Sequence, residues 1–252
     1  YYKLLNINIM ASTSETGHSK NVSNFETMIS YCTGYGITYN PSNSDIVLSE
    51  LITFHTDSKA SVKLVKTTET PFNDVEGQRK LIFKPLKPLS TKVLGAIRSS
   101  GAPSTVIADA ETINRKIQGK RANNTNEETS TEEDPKDKIS VSQQSYDMQI
   151  DHLEKLIELA DVEPKYNPNE IPLQVATLTN YKNQLETINT AVKNSYIPYS
   201  NAMIARDKKL YDPATGLVAR AQLVKNYVKS IFGASSPEYK QINKLRFKTI
   251  GS

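Results

Sequence analysis

Tyr166-Asn167-Pro168 opens a stretch that runs to Lys248 and repeats an earlier one, which opens with Tyr39-Asn40-Pro41 and runs to about Lys120. At the same shift of 127 residues (166 − 39), Leu178 answers Leu51, Val192 answers Val65, Pro198-Tyr199 answers Pro71-Phe72 and Arg206 answers Arg79. The register then drifts: Pro213 and Leu217 answer Pro85 and Leu89 at 128, Gly233-Ala234 answers Gly101-Ala102 at 132, and Ile242-Asn243 answers Ile113-Asn114 at 129. Short insertions and deletions near helix ends produce such drift, and the pattern reads as a diverged tandem duplication.

The second copy sets the period. Leu178, Tyr181, Leu185, Ile188, Val192 and Tyr196 recur in steps of three and four, the spacing of a bundle seam. Before it, Tyr146, Ile150, Leu153, Leu156, Ile157 and Ala160 mark a first helix, and Asn167-Pro168-Asn169-Glu170 reads as the cap of the seam helix. Ile197-Pro198 predicts its end, because the residue before a proline is pushed out of helical geometry. A helix through Ala202, Ile204 and Ala205 to Tyr211 follows, then an Asp212–Gly216 turn and a helix on Leu217, Ala221, Val224, Val228 and Ile231. Ser235 or Ser236, with Pro237 and Glu238, opens a short last helix.

The first copy reads the same way more weakly. Phe25, Met28, Ile29 and Cys32 predict a helix from about Ser23 to Cys32, and Leu48, Leu51, Ile52, His55, Val62 and Val65 a second one, to about Lys66. Thr70-Pro71 predicts a break, Pro85 and Pro88 an interruption of the third helix, and Ile107, Ile113 and Ile117 a fourth. Ser58 and Ser61 stand where the second copy has Leu185 and Ile188, which predicts looser packing.

The expected architecture is all-α: a flexible tail over 1–20, helical repeats over 21–121 and 139–250, and a disordered linker over 122–138. That linker carries six acids against two lysines and no apolar residue beyond Ala122. Each repeat is expected to form a four-helix unit, free or docked into one pseudo-symmetric bundle.

Composition bounds the function. The chain of 252 residues is 37% hydrophobic and 23% charged, with net charge +4 and one cysteine, so neither a disulfide nor a thiolate metal cluster is available within it. No run approaches the roughly 18 apolar residues of a membrane helix. Tyr1–Met10 lacks a signal-peptide pattern, Met10-Ala11-Ser12-Thr13 reads as a start preceded by an extension, and a cytoplasmic location is expected. Without an export signal, the sequons at Asn21 and Asn123 read as accidental.

The run Tyr211-Asp212-Pro213-Ala214-Thr215-Gly216-Leu217-Val218, followed by Val228-Lys229-Ser230-Ile231-Phe232-Gly233-Ala234-Ser235-Ser236-Pro237-Glu238-Tyr239-Lys240-Gln241, resembles an uncharacterised all-helical protein family of Bacteroidota. The resemblance covers nearly all of the second copy and weakly the first. It implies a helical fold and a bacterial origin, and it brings no activity, cofactor or site residue.

Phosphate-loop, nucleophile-elbow, His-Glu-x-x-His and Cys-x-x-Cys signatures are absent from the sequence. Glu15-x-x-His18 is the single carboxylate–histidine pair of the di-metal type, and it has no second copy. Cys32 and His55 fall on apolar rows and read as packed side chains. Gly233-Ala234-Ser235-Ser236 reads as a helix stop followed by a helix start. No metal and no cofactor is expected, and the chain reads as a non-enzyme.

The distribution of charge supplies the one alternative. Ten basic residues face two acids over 79–121, and ten face three over 206–248. Aromatic residues are interleaved, so Arg220, Lys225, Lys229, Lys240 and Lys244 are candidate contacts to a polyanion or single-stranded nucleic acid. The preferred expectation is a structural or protein-interaction module, self-assembling or binding another protein.

Overall fold

The structure, a computed structural model, describes residues 14–120 and 144–249 and is all-helical over them. The α-helices are α1 (Ser14–Gly34), α2 (Leu48–Phe83), α3 (Leu86–Ser99), α4 (Ser104–Gln118), α5 (Tyr146–Val162), α6 (Val175–Tyr211), α7 (Leu217–Phe232) and α8 (Pro237–Asn243). Short 3-10 turns at Ser44–Ile46 and Ile171–Leu173 precede the two long helices.

Those long helices correct the expected breaks. Pro71 lies inside α2 and Pro198 inside α6, and neither ends its helix. Proline removes one backbone donor and disfavours helical geometry just before it, at about 3 kcal/mol, and burial of the neighbouring side chain works against that cost. Phe72, next to Pro71, is buried with its ring 5.5 Å from that of Tyr196. The start of the seam helix also shifts: the Asn167–Glu170 segment leads into the 3-10 turn, and α6 begins at Val175.

The compact units do not coincide with the sequence copies. Among described residues, one unit combines 14–70 with 197–249, and the other takes 71–120 with 144–196. Each long helix therefore divides its length between units, close to its internal proline. Expectation had one bundle per copy; instead, each core draws on both. The first unit's core combines Phe25, Met28 and Leu51 with Leu210, Leu217, Val224 and Ile242. The core of the second combines Leu86, Val93, Ile97 and Ile117 with Leu153, Leu156, Leu178 and Leu185. The bundle expected from either copy alone would leave each apolar face without these partners.

One pair of positions matched in the sequence, Tyr39 and Tyr166, makes the same contact. Tyr39 donates its hydroxyl proton to the Ile46 carbonyl at 2.7 Å, and Tyr166 does the same to Leu173 at 2.7 Å, each pinning the 3-10 turn before a long helix. The turn between α6 and α7 is built on Asp212, whose Oδ1 accepts from Ala214 N, Thr215 N and Thr215 Oγ1 at 3.0, 2.8 and 3.0 Å. These bonds hold the Asp212 carboxyl below its ordinary range, the Thr215 amide first among them. Gly216 closes the turn where a Cβ would meet the Asp212 backbone at 2.6 Å, so a larger residue does not fit.

Of the tail expected over 1–20, residues 14–20 are helical instead: α1 begins at Ser14, and His18 is buried with Nδ1 2.5 Å from the Tyr211 hydroxyl, while residues 1–13 lie outside the described residues. Residues 122–138, the expected linker, lie outside the described residues. Their flanks meet within the second unit, where α4 packs on α5 and Gln144 donates to the Lys116 carbonyl at 2.8 Å. Ser58, expected to loosen the first copy, is buried and donates to Phe54 O at 2.7 Å, so its hydroxyl is satisfied within its own helix.

Candidate functional site

The five basic candidates do not form one surface. Arg220 is buried in the first unit and stacks 4.2 Å over the Phe54 ring. Its guanidinium donates to Asp45 O at 2.7 Å and Thr215 O at 3.3 Å, with Asp45 and Glu50 carboxylates at 3.5 and 3.6 Å. Lys225 donates to Leu245 O at 2.6 Å, and its half-buried amine is pushed below its ordinary pKa by desolvation first and by Arg246 second. Lys229, Lys240 and Lys244 are exposed, and the Lys229 ammonium lies 5.9 Å from the Tyr239 ring. Of the proposed polyanion contacts, Arg220 is thus a core fastener and Lys225 a clamp on the C-terminal segment. Arg79 and Arg206 are likewise committed, Arg79 to Asn189 at 3.1 Å and to the Tyr146 ring at 3.9 Å, Arg206 to Asp207 at 2.8 Å.

Titratable groups of catalytic type are dispersed. Cys32 is buried, and desolvation pushes its thiol up to about 12. His152 is 3% exposed, with neither ring nitrogen bonded, and burial lowers its pKa. Glu158 is exposed and Glu154 pairs with Lys182 at 3.1 Å. Among the described residues no group of three or more His, Cys, Asp or Glu side chains could hold a metal, and no helix is long and apolar enough to cross a membrane.

The feature that sequence reading missed is an uncharged groove in the second unit. A hollow of about 470 Å³ is lined by Pro85, Pro88 and Leu89 from α3 and its entry, Pro172 from the 3-10 turn, and Thr177, Asn180, Tyr181 and Gln184 from α6. A neighbouring hollow of about 350 Å³ shares Asn180 and Gln184 and continues past Asn183, Thr187, Ile188 and Ala191 to Ile82. From Thr177 to Ala191 the shared wall is about 21 Å of helix at 1.5 Å per residue. Lys92 supplies the one charge among these lining residues. Tyr181 is spent on structure: its hydroxyl donates to Ile82 O at 2.8 Å, and burial pushes its pKa up to about 12.

The prolines place the groove. Pro85 sits in the α2–α3 turn and Pro172 inside the 3-10 turn, and both line the first hollow. The run Asn180, Asn183, Gln184, Thr187 was the available signal: four exposed neutral polar residues on one side of the seam helix, in a chain with 23% charged residues. Comparison with protein-family models, with curated proteins and with solved structures finds no match.

Proposed function

We propose that the chain is a non-enzymatic helical-bundle protein, built by duplication, whose role is to bind another protein through the uncharged groove of its second unit. One observation carries the reading: two contiguous hollows over α6 present prolines, aliphatic carbons and neutral amides with a single lysine among them. Charge depletion at the centre of a patch marks protein interfaces, because ionic side chains are costly to desolvate. A polyanion needs the opposite, and Arg79, Arg206 and Arg220 are committed to partners within the fold. The occupant that fits is a protein segment presenting apolar side chains without charge, such as one face of an amphipathic helix.

The test is quantitative affinity capture from cells of the source organism, comparing the wild-type chain with Gln184→Lys and Asn180→Glu. Both positions are exposed, so both variants fold. A protein retained at least tenfold better by the wild type, and binding it with fixed stoichiometry once purified, is expected. Equal retention by all three chains overturns the reading, and nucleic acid retained in its place favours the polyanion alternative.

A further inference from the structure

A third hollow, of about 320 Å³, lies between α1 and the first half of α2 within the first unit, and it is lined by several charged side chains where the groove of the second unit has one. Buried Val22 and Val62 form an apolar floor. Lys59, Lys63 and Lys66 stand along one side, spaced four and three residues apart so that each helical turn contributes one ammonium. Among the described residues none of the three is paired with a carboxylate. Glu26 is the one acid of the lining, so the lysines leave a charge of +2 (three minus one).

His55 is the second, independent observation. Its side chain is 12% exposed, and Nε2 is buried with no hydrogen-bond partner, the Glu26 carboxylate being 4.0 Å away. Desolvation lowers its pKa first, Glu26 opposes that shift and Lys59 adds to it, so the ring is neutral at neutral pH and has hydrogen-bonding capacity unused. A buried polar atom is ordinarily satisfied, and His55, which lines this cationic hollow, carries one that is not.

We infer that this hollow binds an organic phosphate monoester, with the phosphate held by Lys59, Lys63 and Lys66 and an apolar body over Val22 and Val62. The charge decides the class: a dianionic phosphate monoester neutralises +2, whereas a carboxylate leaves half of it. The size suits an organic ester better than bare phosphate, since pockets of about 300 Å³ and more hold organic ligands. A soluble ester and a lipid headgroup share this chemistry.

The experiment follows the imidazole signal of His55 by NMR in the full chain, assigned with His55→Gln, during titration with phenyl phosphate, inorganic phosphate, benzoate, and vesicles of phosphatidylcholine with or without phosphatidic acid. A saturable shift with phenyl phosphate or with phosphatidic acid vesicles is expected. It should weaken at least tenfold in the Lys59→Gln, Lys63→Gln, Lys66→Gln variant, whose exposed positions leave the fold intact. A response to vesicles alone assigns the phosphate to a lipid, and a response to both assigns it to the soluble ester class. No saturable shift, the same affinity for inorganic phosphate or benzoate, or full binding by the triple variant overturns the inference.

Discussion

Arg220→Met separates a structural arginine from a polyanion contact. Its Nη1 reaches Asp45 O at 2.7 Å, and a hydrogen bond from a charged donor contributes about 1.5–3 kcal/mol. The bond to Thr215 O at 3.3 Å is weaker. Ion pairing adds little: the Asp45 and Glu50 side chains are 52% and 45% exposed, and pairs so solvated are worth about 0–1 kcal/mol. The guanidinium stacked on Phe54 adds about 0.5–2 kcal/mol, part of which a methionine sulfur against the same ring restores. The net expectation is a loss of roughly 2–3 kcal/mol, or about 4–12 °C in Tm for a chain of this size. Urea denaturation followed by circular dichroism measures it, with Lys229→Met as the exposed control, expected within about 0.5 kcal/mol of wild type. If Arg220→Met keeps wild-type stability and lowers affinity for single-stranded nucleic acid, the assignment of Arg220 to the core is wrong.

Cleavage at a protease site introduced within residues 122–138 should leave the two fragments co-eluting under native conditions, because each core takes helices from both sides of the cut; fragments that separate without denaturant refute the division into units. His152 predicts a pH slope. Burial lowers its folded pKa below the ordinary 6.5, so the unfolded state takes up the proton first, and stability present above pH 6.5 is lost as pH falls toward the folded value. Denaturation midpoints at several pH values between 5 and 7.5 should show that slope in the wild type and a flatter one in His152→Leu, and equal slopes in the two proteins count against it.

Helical periodicity made most of the fold legible. Leu178, Leu185, Ile188 and Val192 are buried as their spacing required, and the Ser236 side chain caps α8 by accepting from Tyr239 N at 3.1 Å. The prolines misled because local conformational preference and helix continuity are different questions. The residue before a proline is disfavoured in a helix by a few kcal/mol at most, and whether that is overcome depends on partners distant in sequence. For α2 one such partner is Tyr196, which lies 124 residues beyond Phe72 (196 − 72) and meets its ring at 5.5 Å. With those breaks removed, the repeat no longer marks out a bundle, and the same internal similarity accompanies cores that each combine both copies.

The candidate sites were less legible, for a reason visible in the basic residues themselves. A count of lysine and arginine along the chain treats every cation alike, whereas the fold commits some of them to internal partners and leaves others, Arg98 and Arg246 included, at the surface. Three arginines, whose planar heads stack on rings and donate in several directions, are committed within the fold: Arg79 over Tyr146, Arg206 against Asp207, Arg220 between Phe54 and Asp45. Lysine, a strongly hydrated point charge, is left at the surface at 229, 240 and 244. The basic second halves are therefore partly a record of core construction. The cations of the hollow between α1 and α2 come from Lys59, Lys63 and Lys66, in the first half of the first copy, where the charge count gave no reason to look. Their signal was spacing against a second helix rather than abundance: one ammonium per turn of α2, facing Val22 and Glu26 of α1, a juxtaposition that exists only once the two helices pack.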